Sequence, residues 1–288
     1  ALRTILNPGD EVLYHEPCFV SYRPSIILAG GVPVCVETRR EDQFRLTRAM
    51  LEKAVTPKTR VLMLNFPCNP TGAVLGPKDV EDIADFCQKH DLLLLSDEIY
   101  AELTYDSKHV SFVSIPGMKE RTIFLHGMSK AWAMTGFRIG YACAPAEISE
   151  NMMKLHQYAI MSAPTTGQKA AAEALERGDA AVAGMVAEYN RRRNYLIAAF
   201  AEMGIPCHTP AGAFYAFPYI GDLGISAEDF AMRFLEEKGV AVVPGDAFGK
   251  CGAGFLRCAY ATNMDNIREA MKRMAEFVAG VRAEKKPG

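Results

Sequence analysis

Short apolar runs alternate with amphipathic stretches through the first 170 residues. Val12–His15, Val32–Glu37, Val61–Phe66, Leu92–Ser96, Thr122–His126 and Phe137–Ala142 read as strands, and Ser21–Leu28, Arg48–Val55, Asp79–His90 and Ile148–Ile160 read as helices. Unbroken apolar runs such as Leu92-Leu93-Leu94-Leu95 suit strands covered on both faces, as in a parallel sheet. Strands and helices in alternation predict an α/β layer fold.

After Thr165 the texture changes. Ala-rich helical patterns cover Ala170–Glu176 and Ala181–Met203, the second long enough to connect two units, and Pro206 and Pro210 close that stretch. A strand at Ala213–Phe217, a helix at Glu228–Lys238, strands at Ala241–Val243 and Phe255–Ala259 and a last helix from about Asn266 then predict a smaller α+β unit. The boundary is placed near residue 180, giving a large domain over 1–180 and a small one over 181–288. Ala1–Leu6 reads as the last turns of a helix stopped by Asn7-Pro8-Gly9-Asp10, so the first domain is expected to be incomplete at its N-terminal side.

Composition narrows the function classes. The 288 residues are 49% hydrophobic and 23% charged, the balance of a soluble globular protein long enough to bury a sizeable core. The net charge of −2 is spread with both signs mixed, and only Lys285-Lys286 at the end forms a short basic group. No nucleic-acid partner is expected from such a pattern, and no membrane partner, since no apolar run is long enough to span a bilayer. The eight cysteines form no C-x-x-C pair and no Cys/His spacing suited to zinc, so no metal is expected. Several sit in apolar runs such as Val34-Cys35-Val36, where a free thiol behaves as a small hydrophobe, and a cytoplasmic location is the expectation.

In open α/β sheets, ligands sit beyond the carboxyl ends of the strands. Three predicted strands are followed there by Pro67-Cys68-Asn69-Pro70-Thr71-Gly72, by Asp97-Glu98-Ile99-Tyr100 and by Gly127-Met128-Ser129-Lys130. Asp97 ends a leucine run, and a partly buried carboxylate calls for a cation or hydrogen-bond donors; the plain alternative is a helix N-cap. Lys130 lies among small and apolar residues, where desolvation lowers a lysine pKa and makes the amine nucleophilic; the plain alternative is a snorkelling surface lysine. Ser129 and Arg138 offer a hydroxyl and a planar cationic fork to an anion such as phosphate.

Taken in order, Asn69-Pro70-Thr71-Gly72, Ser96-Asp97-Glu98-Ile99-Tyr100 and Ser129-Lys130 with Arg138 eight residues on resemble the fold-type I pyridoxal 5'-phosphate (PLP) enzymes. The nearest likeness is to the class I/II aminotransferases of the aspartate/aromatic type. It extends to Asn7-Pro8-Gly9-Asp10-Glu11-Val12, Gly212-Ala213-Phe214-Tyr215, Val242-Val243-Pro244-Gly245 and Leu256-Arg257, covering nearly the whole chain. The resemblance implies a three-layer α/β/α fold with a mostly parallel sheet, a homodimer, and transfer of an amino group between an α-amino acid and a 2-oxo acid. It implies that Lys130 binds the PLP aldehyde and moves the substrate proton. Asp97 pairs with the ring nitrogen, Asn69 and Tyr100 bond the ring hydroxyl, Ser129 and Arg138 hold the phosphate, and Phe19 stacks on the ring. Arg257, with Asn69 beside it, receives the substrate α-carboxylate. Phe19 as plain core and Arg257 as a structural salt bridge are the plain alternatives.

The chain departs from the family's pattern at its start, where a Gly-containing phosphate loop and an earlier substrate-covering segment would precede Ala1. Alternative functions are a PLP-dependent C–S lyase or decarboxylase of the same fold, or the aminotransferase-like effector domain of a transcriptional regulator. The string Ala133-Met134-Thr135-Gly136-Phe137-Arg138-Ile139-Gly140-Tyr141 favours the transaminase branch. Which amino donor is used is not encoded in these motifs.

Overall fold

A computed structural model describes residues 1–284; Lys285 and Lys286 lie outside the described residues. Six strands form the main sheet: β1 (Glu11–Glu16), β2 (Val32–Glu37), β3 (Thr59–Asn65), β4 (Leu93–Asp97), β5 (Thr122–Gly127) and β6 (Gly140–Cys143). Their order is β2-β1-β3-β4-β5-β6. All neighbours run parallel except β6, which is antiparallel to β5.

Alternation along the strands explains the layers. Val12, Tyr14, Val61, Met63, Leu95 and Ile123 share one apolar cluster with Leu2 of α1 (Leu2–Ile5), Tyr22 and Ile26 of α2 (Tyr22–Leu28), and Ile148 and Met152 of α5 (Ala146–Ala159). The intervening Leu13, Leu62, Leu64 and Leu94 join Leu51 of α3 (Arg48–Ala54) and Val80, Ile83, Phe86 and Cys87 of α4 (Pro77–Lys89). Successive side chains point to opposite faces, so one leucine-rich strand feeds two cores and the result is a three-layer α/β/α arrangement. Each fully buried Leu, Ile or Phe contributes about 1.5–3 kcal/mol of transfer free energy. Ile83 and Phe86, with Val80 and Cys87 beside them, therefore outweigh the modest propensity terms that start α4. That start is nonetheless well marked: Pro77 sits at the first helical position, and Asp79 Oδ2 accepts the Gly76 amide at 3.1 Å.

The rest of the chain builds a second layer set. α6 (Thr165–Arg177) leads into α7 (Asp179–Glu202), a 24-residue helix. Beyond it, β7 (Tyr215–Ala216), β8 (Val243–Pro244) and β9 (Leu256–Ala259) make an antiparallel sheet in the order β7-β9-β8. α8 (Ala227–Lys238) and α9 (Met264–Glu284) complete it. The core here takes Leu196 and Phe200 from α7, Phe230 and Phe234 from α8, and Met274 and Phe277 from α9, and it reaches across to Tyr100, Leu103 and Ala131.

β3, β4 and β9 differ from the predicted strands by one or two residues at an end, and β6, β7 and β8 depart further. β6 begins at Gly140 rather than Phe137, because Thr135–Phe137 turns as a 3-10 helix and Arg138 takes a left-handed backbone, φ 54°. β7 keeps only two residues of the expected Ala213–Phe217, since Ala213 is also left-handed at φ 58° and breaks the extension. β8 forms at Val243–Pro244 rather than Ala241–Val243, where Arg257 and Leu256 of β9 lie opposite it. Among the described residues, no helix is long and apolar enough to cross a membrane.

Candidate active site

The carboxyl ends of β3, β4 and β5 lie side by side, with Asn65 paired to Asp97 and Asp97 to Leu125. Each strand then turns out of the sheet and delivers a polar segment to the same edge.

Asp97 is the last residue of β4 and is half-buried. Its Oδ1 accepts the Ile99 amide at 3.1 Å, so it caps the turn that follows rather than a helix. Its Oδ2 accepts the Tyr22 hydroxyl at 2.6 Å. Burial pushes the carboxyl pKa up, and the two donors from Tyr22 and Ile99 oppose that shift. Tyr22 opens α2 and is buried; its role here depends on a contact that no local pattern announces. Asn65 staples the edge further, its Nδ2 donating to the Asp97 carbonyl at 3.1 Å while its Oδ1 accepts the Asn69 amide at 3.1 Å. Read as one more residue of an apolar strand, Asn65 gave no sign of this.

Glu98 follows Asp97 and is 1% exposed. It accepts from Ser96 Oγ at 2.9 Å and Ser111 Oγ at 3.0 Å, and lies 2.6 Å from His109 Nε2. A buried carboxylate with three partners fixes the turn that carries Asp97 and Tyr100.

Lys130 is half-buried two residues beyond Met128, with the rings of Tyr100 and Phe214 centred 5.9 and 5.8 Å from its Nζ. Burial lowers its pKa, and the charges of Arg257 and Arg138 lower it further; Asp97 works the other way. The four charges are therefore electrostatic neighbours, and the amine is shifted toward its nucleophilic neutral form. Ser129 is half-buried beside it. Arg138 is exposed and donates through Nη1 to the Thr135 carbonyl at 2.9 Å.

Arg257, on β9, comes from the second sheet. Its guanidinium lies 4.7 Å from the Tyr215 ring centre and 4.8 Å from that of Phe248, and Nη1 donates to Asn69 Oδ1 at 3.1 Å. Its Nε is buried without a hydrogen-bond partner. The arginine is stacked and oriented but, among the described residues, not neutralised by a carboxylate, which is the arrangement a bidentate anion completes.

Phe19 is 39% exposed and meets the Tyr22 ring edge-on at 5.8 Å, so it is not plain core. With Phe248 it lines a cavity of about 630 Å³ that also takes in Glu16, Arg23 and Lys250; neither Lys130 nor Asp97 lines it. Cys68 is buried, its thiol pushed up to about 11 by burial, and it is unsuited to act as a nucleophile. His126 accepts the Gly127 amide on Nδ1 at 2.7 Å and lies 3.0 Å from Glu102 with Nε2, which ties the Lys130 strand to the turn after Tyr100.

An amine, a carboxylate, a phenol and an unneutralised arginine thus converge at one strand edge. Residues 1–274 match the family described as Aminotransferase class I and II. The chain belongs to that family. This aminotransferase is 49% identical over 278 residues to the putative aminotransferase YugH of Bacillus subtilis, covering 96% of this chain and 72% of that protein. It is equally, 49%, identical to an aspartate aminotransferase of Pyrococcus abyssi over 280 residues, again covering 96% and 72%. Among solved structures, an aromatic aminotransferase from Pyrococcus horikoshii superposes with a TM-score of 0.94 at 49% identity, covering 97% of this chain and 75% of that one.

Proposed function

We propose that this chain catalyses PLP-dependent transamination between an α-amino acid and a 2-oxo acid, of the aspartate/aromatic type. The observation that carries the reading is the convergence of Lys130 and Asp97 with Arg257, whose buried Nε lacks a partner. The family membership supports PLP as the cofactor, and the donor set fits it: an amine for an aldehyde, a carboxylate for a cationic ring nitrogen, and Ser129 and Arg138 for a phosphate. When bound, PLP supplies an aldehyde that condenses with amines and a ring that draws electrons from the substrate Cα.

The chain's own residues do the rest. Lys130 Nζ would bind the aldehyde and later take the proton from the substrate Cα; burial lowers its pKa, which favours the neutral amine that both tasks need. Asp97, whose carboxylate form is favoured by the Tyr22 and Ile99 donors against the effect of burial, would hold the ring nitrogen in its protonated form. Tyr100 and Asn69 would hold the ring hydroxyl, and Phe19 would supply an aromatic face for the ring. Arg257 grips the α-carboxylate with the planar fork that Tyr215 and Phe248 orient.

Two further readings belong with this one. Exposed apolar residues on and after α5, among them Met153, Leu155, Tyr158 and Ile160, support assembly as a homodimer. Eight free thiols support a cytoplasmic location.

The test is a panel of amino acids, including aspartate, tyrosine and alanine, given to the PLP-loaded protein with 2-oxoglutarate. The expected result is donor-dependent loss of the cofactor's visible absorbance with matching 2-oxo acid and glutamate formation. Release of ammonia and a 2-oxo acid without any acceptor would replace transamination with lyase chemistry.

A further inference from the structure

The hydroxyls of Tyr100 and Tyr215 lie 2.9 Å apart, and both residues are buried. Each phenol carries one proton. One proton is spent in the bond between them, and only the other is free for an outside acceptor. Which tyrosine donates therefore decides which one can serve the site.

The surroundings favour Tyr215 as the donor. The Arg257 guanidinium, a permanent cation, lies over the Tyr215 ring at 4.7 Å and makes its O–H the stronger donor. Arg257 also acts on the Tyr100 phenol but does not lie over its ring; the cation over that ring is the Lys130 amine, farther off at 5.9 Å and shifted toward its neutral form. Among the described residues, the Tyr215 hydroxyl has no other hydrogen-bond partner.

The pair is held by backbone. Ala213 N donates to the Leu103 carbonyl at 2.8 Å and Tyr105 N to the Ala211 carbonyl at 3.1 Å, which bolts the segment before Tyr215 to the turn after Tyr100. The Tyr105 hydroxyl donates to the Ala213 carbonyl as well. Ala211 and Gly212 both donate to the Gly72 carbonyl, at 2.9 and 3.0 Å, so the Asn69 loop joins the same knot. The spacing of the two phenols is thus a property of three loops and not of two free side chains.

We propose that Tyr215 is a positioning residue whose hydroxyl donates to Tyr100, leaving the Tyr100 proton to point at the cofactor's ring hydroxyl. This rests on the assignment of Tyr100 to that ring position. Tyr215 touches neither the reacting carbon nor the amine; it acts by orienting and polarising Tyr100. Its ring has a separate task under Arg257, which the change to phenylalanine leaves in place.

The experiment is a pH titration of the visible absorbance of the PLP-loaded protein, for wild type, Y100F, Y215F and the double variant. A donor that stabilises the ring oxygen's charge lowers the pKa of the lysine–cofactor linkage, so Y100F moves the midpoint upward. Y215F is expected to move it the same way by roughly 0.3–0.7 pH unit, the size of one neutral hydrogen bond. The double variant is expected to match Y100F, because Tyr215 acts through Tyr100. The KM for the amino donor is expected to change less than about twofold in Y215F and to rise in Y215L, which removes the ring from Arg257. A Y215F midpoint equal to wild type beside a shifted Y100F overturns the Tyr215 proposal while leaving the Tyr100 assignment intact. A silent Y100F overturns the assignment and the proposal with it. Additive shifts in the double variant also overturn it, since Tyr215 would then act without Tyr100.

Discussion

The phenol of Tyr22 donates to Asp97 Oδ2 across 2.6 Å, from a residue 75 positions earlier in the chain. Burial alone would drive Asp97 toward its neutral form, and a neutral carboxyl cannot hold a pyridinium proton. Tyr22 and the Ile99 amide are the donors that oppose that shift and aim the carboxylate.

Tyr22→Phe removes the stronger of these two donors while sparing the ring that packs in α2. A hydrogen bond to a charged group contributes about 1.5–3 kcal/mol. The expected outcome is a fall in kcat of roughly tenfold, with the KM for the amino donor nearly unchanged, read from single-turnover absorbance changes. A kcat equal to wild type would mean the Ile99 amide suffices.

Arg257→Leu leaves an incoming α-carboxylate without its fork. Truncating one partner of a buried charge pair costs about 2–5 kcal/mol, so kcat/KM should drop by roughly 30-fold or more for every amino donor alike. Arg257→Lys should restore only part of this, since an ammonium cannot bind both carboxylate oxygens in one plane. Loss confined to one class of donor side chain would instead place Arg257 on the distal end of the substrate.

Lys130 gives a pH signature in the cofactor-free protein. Its folded pKa lies below the ordinary 10.5, so between the two values the unfolded chain holds more protons than the folded one. Stability therefore rises with pH through that window, and the cost of burying the amine is greatest below it. Lys130→Met should raise Tm at pH 7, and the gain should shrink as pH approaches 10.5. The same variant should fail to develop the visible band on adding PLP. Differential scanning calorimetry across pH reads the first effect; a pH-independent gain would contradict it.

Gly72 has φ +70°, and a Cβ there would sit 2.2 Å from Pro210 Cβ. Left-handed backbone and a backbone-adjacent clash together should cost about 2–4 kcal/mol in Gly72→Ala. Thermal unfolding should show a clear drop in Tm, and the displaced Asn69 loop should raise KM through its bond to Arg257. An unchanged Tm would mean the Pro210 segment yields freely.

The main sheet was legible because its strands are short apolar runs with obligatory loops between them, and β2 falls on its predicted residues. The end of β5 was legible to within a residue. What local pattern could not convey was backbone set by distant contacts. Arg138 and Ala213 take left-handed conformations that shorten β6 and β7, and neither is a glycine. At the site, Asp97, Arg138 and Arg257 lie within electrostatic reach of Lys130, while Phe19 lines a cavity that Lys130 and Asp97 do not. Tyr22, Asn65, Glu98 and Tyr215 were missed because each acts through a partner brought near only by folding. Nothing in Ser21-Tyr22-Arg23 tells that the phenol faces the end of β4.

The bond from Arg257 to Asn69 spans 188 residues of chain, and Tyr100 reaches Tyr215 across 115. Contacts of such separation form only after large loops have closed, which is slow compared with the growth of any single helix. Helical circular dichroism should thus recover early when the denatured chain is refolded with PLP present. Colour should arrive in a later phase, set by closure of the two sheets on each other, and the pigment becomes a clock for the final step of renaturation.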